Sequence, residues 1–240
     1  MIRKHGKKIL ATQIVLILLL SGGFILLPKV KFRNEVLKFE RANVEAIERV
    51  AVNEYLDVQF ICQAPLQSTQ NWELHEESCE EAALLQAYNY EKNQTVTKQE
   101  ANKIILDMID WQEKNFGGHF DLKSEKMKEF ISSYYELPEG AVVLTQNAKI
   151  EDIKKSITNN HPVIVPVTAK ILKNPYYPYP GYHMLLVTGF TEDRIITNDN
   201  GTKHGEDFSY DIDSFRAAME DAGSVIISLN LVDASKSSDL

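Results

Sequence analysis

Cysteine is scarce in this chain, with Cys62 and Cys79 the only two in 240 residues, and neither Cys-x-x-Cys nor His-Glu-x-x-His occurs. That excludes a disulfide-stapled scaffold and the common zinc frameworks. Positive charge is scarce beyond the N-terminus. Residues 1–33 hold seven Lys or Arg and no acids, which leaves 19 basic against 34 acidic residues, a net of −15, for the rest. Such a body does not bind nucleic acid through the phosphate backbone, nor lie on anionic lipid. Asn198 to Asp207 suggests a calcium loop. Aligning Gly201 with that loop's invariant glycine, however, puts Ile196 where the first oxygen ligand is needed. No cofactor is expected, and there are no internal repeats.

Long apolar runs are also rare; the exception lies at the start. Arg3, Lys4, Lys7 and Lys8 precede a run from Ile9 to Leu27 broken only by Thr12, Gln13, Ser21, Gly22 and Gly23. It is close to the roughly 20 residues a helix needs to cross a bilayer. Ser21-x-Gly23 is a poor cleavage site, and Phe24 to Leu27 continues the apolar run past it. The reading favoured over a cleaved signal peptide is an uncleaved signal anchor over residues 1–33, with a cytoplasmic N-terminus. The remainder would then stand outside a bacterial plasma membrane as a single-pass protein.

What is present centres on Cys79, in Glu77-Ser78-Cys79-Glu80-Glu81-Ala82-Ala83. Ser78 and Glu81 read as a capping box, which would put Cys79 in the first turn of a helix over Ser78 to Tyr90. The amides there favour thiolate, whereas Glu76, Glu77, Glu80 and Glu81 oppose it. An imidazolium partner would overcome that repulsion. His183 offers one, opening the apolar strand-like run Met184-Leu185-Leu186-Val187. Asp199 ends a short strand one hairpin later, close enough to orient the ring, with Asn198 as competitor. Gln63 is a neutral amide suited to an oxyanion, with Gln67 and Gln70 as rivals. Cys62 is read as a free, partly buried thiol; a bridge to Cys79 would silence the nucleophile. Trp72 is read as a wall of the site or a core anchor. His75, His119, His161 and His204 are read as solvated or turn residues.

Cys62-Gln63-Ala64-Pro65, Asn71-Trp72, Ser78-Cys79-Glu80-Glu81-Ala82, Tyr182-His183-Met184 and Asn198-Asp199-Asn200-Gly201 together resemble the C39-like branch of the papain-type cysteine peptidases. The resemblance spans roughly Tyr55 to Leu229. It implies Cys79 as nucleophile, His183 as base, Asp199 as orienting carboxylate and Gln63 as oxyanion-hole side chain. Such members usually carry Asp-Pro-Gly where this chain has Asp199-Asn200-Gly201, so a small loss of rigidity is expected there. The implied substrate is a peptide or protein. A silent peptide-binding ectodomain and an amine acyltransferase use the same residues, and any transporter or secretion partner goes unnamed.

The expected fold is α+β, with the nucleophile on a helix and the base and acid on an antiparallel sheet. After a helical stalk over 34–53 comes a peptidase domain over 54–232, then a frayed tail over 233–240. Helices are predicted at Lys98 to Asn115, Leu122 to Glu136, Ile150 to Thr158 and Ile212 to Asp221. Strands are predicted at Tyr55 to Ile61, Pro162 to Val167, His183 to Phe190, Arg194 to Thr197 and Ser224 to Leu229. Asn174 to Gly181, rich in proline and tyrosine, reads as a stiff loop able to line a cleft.

Overall fold

The computed structural model describes residues 54–176 and 181–231. The anchor over 1–33, the stalk and the tail over 233–240 lie outside them. Among the described residues no helix is long and apolar enough to cross a membrane.

Seven strands form one antiparallel sheet: β1 (Glu54–Tyr55), β2 (Val142–Gln146), β3 (Val163–Thr168), β4 (Tyr182–Phe190), β5 (Arg194–Asn198), β6 (Phe208–Asp211) and β7 (Val225–Leu229). Their order is β2-β7-β3-β4-β5-β6, and β1 pairs with the far end of β4. Gly189 makes that last pairing possible, because a Cβ there would stand 2.8 Å from the Glu54 carbonyl oxygen. A bulge at Thr188 shifts the β4–β5 register, which sets Leu186 opposite Asn198.

Seven helices are described: α1 (Thr69–Leu74), α2 (Cys79–Glu91), α3 (Lys98–Phe116), α4 (Ser124–Tyr134), α5 (Ile150–Thr158), α6 (Ala169–Leu172) and α7 (Ile212–Asp221). α3 obeys its sequence signals at both ends. Thr97 and Glu100 form a reciprocal capping box, and Gly117 stops the helix in the left-handed region at φ 80°. Ala101, Ile105, Met108 and Gln112 make its buried stripe, as Ile150, Ile153 and Ile157 do for α5. α2 has no such stripe, since it is buried nearly all round, and it packs against β4. Ala82 and Ala83 are fully buried, and their small size admits this close packing.

Two local expectations are corrected. Tyr55 to Ile61 is strand only at Glu54–Tyr55. Further on, side chains satisfy the backbone instead of a neighbouring strand: Asn198 Nδ2 donates to the Val58 carbonyl, and Gln86 Oε1 accepts from Ile61 N–H. Cys62, just beyond, lies in a loop. The Ser78–Glu81 capping box does not form either. Ser78 is buried, with its hydroxyl 3.4 Å from His75 Nδ1, and Glu81 turns into the core to accept from Gln112. β2, β6, α1 and α6 are further elements that the sequence pattern did not reveal.

Candidate active site

α2 begins at Cys79, so the nucleophile candidate occupies the first helical position even without the capping box. Amides of that first turn have no acceptor within the helix, which leaves a donor at the sulfur's side. β4 presents His183 one residue inside its start, and Asp199 follows the last residue of β5. The antiparallel neighbours bring ring and carboxylate together, with His183 Nε2 2.9 Å from Asp199 Oδ1. Cys79, His183, Gln63 and Gly201 line one cavity of about 370 Å³, with Trp72 and Tyr182 as aromatic walls. Glu73, Glu76, Glu77 and Asp121 supply the charge of that lining.

Asp199 is fully buried and heavily bonded. Asn174 Nδ2 donates to Oδ2 at 3.0 Å, the Tyr210 hydroxyl donates to the same oxygen, and Gly201 N–H reaches Oδ1 at 3.2 Å. Asn174 and Tyr210 escaped the sequence reading. The clue was Asn174 opening the proline and tyrosine loop, of which residues 177–180 lie outside the described residues. Asn198 is no competitor: its side chain donates to Val58 and accepts from Asp207 N–H.

Asn200 lies in the turn expected of it and has a further task. It is buried, its Nδ2 donates to the Cys79 carbonyl at 2.9 Å, and its own carbonyl accepts from Gln63 N–H at 2.9 Å. One residue thus ties the segments carrying Gln63, Cys79 and Asp199. Two glycines beside it have steric reasons to be glycine. A Cβ at Gly201 would stand 2.9 Å from His183 Cε1, and one at Gly205 would stand 1.7 Å from the Asp199 carbonyl oxygen.

Gln63 is buried beside the cavity, and its Nε2 donates to the His75 carbonyl at 2.8 Å and to that of Glu76 at 2.9 Å. Both hydrogens of the amide hold the turn leading into Cys79. Gln67 and Gln70 are exposed and do not line this cavity. Trp72, half-buried, is a wall of the site.

The thiol's environment resolves the contest between helix terminus and carboxylates. Burial, then Glu80, push the Cys79 thiol well above its ordinary value, and the Met184 backbone N–H only partly offsets them. Cys79 Sγ donates to Glu80 Oε2 at 3.0 Å. Cys62 is a free, buried thiol, as is Cys79, and burial pushes Cys62 up to about 11.

Three of the other histidines, His75, His119 and His161, need correction. His75 is fully buried, with Nε2 2.9 Å from Asn102 Oδ1, and burial lowers its pKa. His119 is half-buried at 3.4 Å from Glu81; burial would lower it, but Glu81 and other carboxylates raise it on balance. His161 pairs with Glu91 at 2.8 Å, and His204 stacks on Tyr176. His204 nonetheless keeps the exposed turn position expected of it.

A thiol at the head of a buried helix, sharing a cavity with a histidine that is bonded to a buried aspartate, is an arrangement suited to thiol chemistry. Residues 55–225 match the profile of the Peptidase_C39 like family, and the chain belongs to that family. A crystal structure from Bacillus anthracis, described as a C39-like peptidase, shares the fold: TM-score 0.53 at 15% identity, over 74% of this chain and 98% of that one. No curated protein matches the chain.

Proposed function

We propose that this protein is a cysteine peptidase or amide hydrolase that cleaves through a thioester at Cys79. The observation that carries it is the cavity shared by Cys79 and His183, with Asp199 bonded to His183 from outside that lining. His183 takes the thiol proton, sulfur attacks the carbonyl carbon, and the proton passes to the leaving amine. Water then hydrolyses the thioester. Asp199 fixes the tautomer by accepting at Nε2, which directs Nδ1 to the reacting groups. The developing oxyanion would be met by Cys79 N–H and by Gln63, which must redirect a hydrogen now spent on a backbone carbonyl.

The first 33 residues are proposed to anchor the enzyme in the plasma membrane with the catalytic domain outside. Protease shaving of intact cells should remove the domain; its survival until lysis would place it on the inner side.

Cys79→Ala should abolish turnover of a peptide library while circular dichroism stays native. Full turnover in that variant would remove the mechanism. Peptide binding with no turnover in the wild-type chain would favour a binding ectodomain, and product bearing an added amine would favour acyl transfer.

A further inference from the structure

Among the described residues, a side chain in contact with the candidate nucleophile's sulfur is a carboxylate. Cys79 Sγ donates to Glu80 Oε2 at 3.0 Å, and Glu80 Oε1 accepts from Leu122 N–H at 2.8 Å. Glu80 is only 1% exposed, so it is a carboxylate withdrawn from water and supported by those two donors. Thioester chemistry does not ask for it. The reaction needs the thiol proton on imidazole, and a second acceptor for the same proton competes with the first.

We propose that Glu80 is a latch on the nucleophile, accepting the Cys79 S–H so that the resting residue stays a thiol until substrate displaces that contact. The proposal rests on the reading of Cys79 as nucleophile. On release the S–H bond breaks and an N–H bond forms at His183 Nδ1. That leaves a thiolate beside an imidazolium whose Nε2 remains bonded to Asp199, so charge and protons balance within the site.

The charged surroundings act in the same sense. Glu81 follows on α2, Glu73 lies on α1, and Glu76 and Glu77 precede α2. Asp121 and His119 come from the segment after α3, and Tyr182 and His183 from β4. In that set only the two histidines can carry positive charge, and His119 is turned to Glu81. Burial and Glu81 raise Glu80 as well, while the donors Cys79 S–H and Leu122 N–H pull it back toward the carboxylate. The latch is anchored at its other end, because the Leu122 carbonyl accepts from the Tyr182 hydroxyl at 3.0 Å. One short segment, 121–122, therefore borders the cavity, braces Tyr182 and seats Glu80.

The test is alkylation of the full chain with iodoacetamide across pH, reading Cys79 and Cys62 separately by mass spectrometry. Glu80→Gln removes the charge and keeps an oxygen for Leu122 N–H. It should move the Cys79 profile to lower pH and raise its rate at pH 7 about tenfold or more, as loss of an adjacent like charge predicts. Cys62 should keep its profile. An unmoved Cys79 profile in a folded Glu80→Gln protein overturns the latch. Adding His183→Ala separates the two readings. If it erases the gained reactivity, the Cys–His pair stands; if the gain persists unchanged, the latch stands and the peptidase mechanism falls. Should Glu80→Gln fail to fold, the infrared S–H stretch of the Cys62→Ser protein decides. A band shifted below that of free cysteine supports the carboxylate contact, and an unshifted one refutes it.

Discussion

At the scale of single residues, the site makes graded demands. His183→Ala should cut kcat by about 10²- to 10⁴-fold, the usual contribution of a positioned base. Asp199→Ala should cost less, because the ring keeps its place in β4 and loses only its tautomer bias; wild-type activity in that variant would move the orienting role elsewhere. Gly201→Ala tests position rather than chemistry. Its new methyl would meet His183 Cε1 at 2.9 Å, and a displaced ring should lower kcat about tenfold or more with thermal stability nearly unchanged. Equal kcat would show that the ring can yield without consequence. These residues were legible because chemistry restricts their types. Asn174 and Tyr210 were not, since an amide and a phenol that support a carboxylate from distant positions leave no local pattern.

At the scale of elements, what could be read depended on how much of each signal was local. α3 carries its own capping box, terminal glycine and apolar stripe, so its span was evident to within a residue. α2 is buried on nearly every side and has no stripe; its start was recognised from Ser78 and Glu81, though Ser78 holds the N-cap position without a side-chain cap bond. β6 is four residues set in a polar stretch, and its pairing with β5 is a tertiary fact. The loop from Asp199 to Asp207 is the element most exposed to mutation. Gly205→Ala should open it, because the added carbon would lie 1.7 Å from the Asp199 carbonyl oxygen, and both melting temperature and turnover should fall. Asn200→Ala should cost about 1 kcal/mol of stability, the worth of one hydrogen bond. Its effect on turnover should be larger, because it frees α2 from the loop that bears Asp199. A stability loss with unaltered turnover would show the tie to be structural alone.

At the scale of the molecule, an acidic chain that buries carboxylates has a pH dependence of definite sign. Burial and Glu81 hold Glu80 well above the ordinary carboxylate value, and burial raises Glu91 despite His161. A carboxyl raised on folding binds its proton more tightly in the folded chain. Its stabilisation is therefore complete below the unfolded value of about 4.3 and declines as pH rises toward the folded value. His75, lowered by burial, works in the other direction, losing stability as pH falls through its unfolded value of about 6.5. The net curve mixes both, but a difference isolates Glu80. Glu80→Gln should gain melting temperature relative to wild type as pH is raised from about 4 to 8, the range above the unfolded carboxylate value. A gap that does not change with pH would mean that Glu80 titrates alike in both states.

The hydrogen bond from Cys79 to Glu80 also bears on chemical survival. Peroxides and disulfides attack thiolates far faster than thiols, and a sulfur driven to sulfinic acid is lost to catalysis. A proposed nucleophile that keeps its proton, 5% exposed and with its S–H donated to a carboxylate, would offer oxidants little to attack. A contact proposed to slow the first step of turnover would thereby lengthen the working life of such an enzyme between substrates.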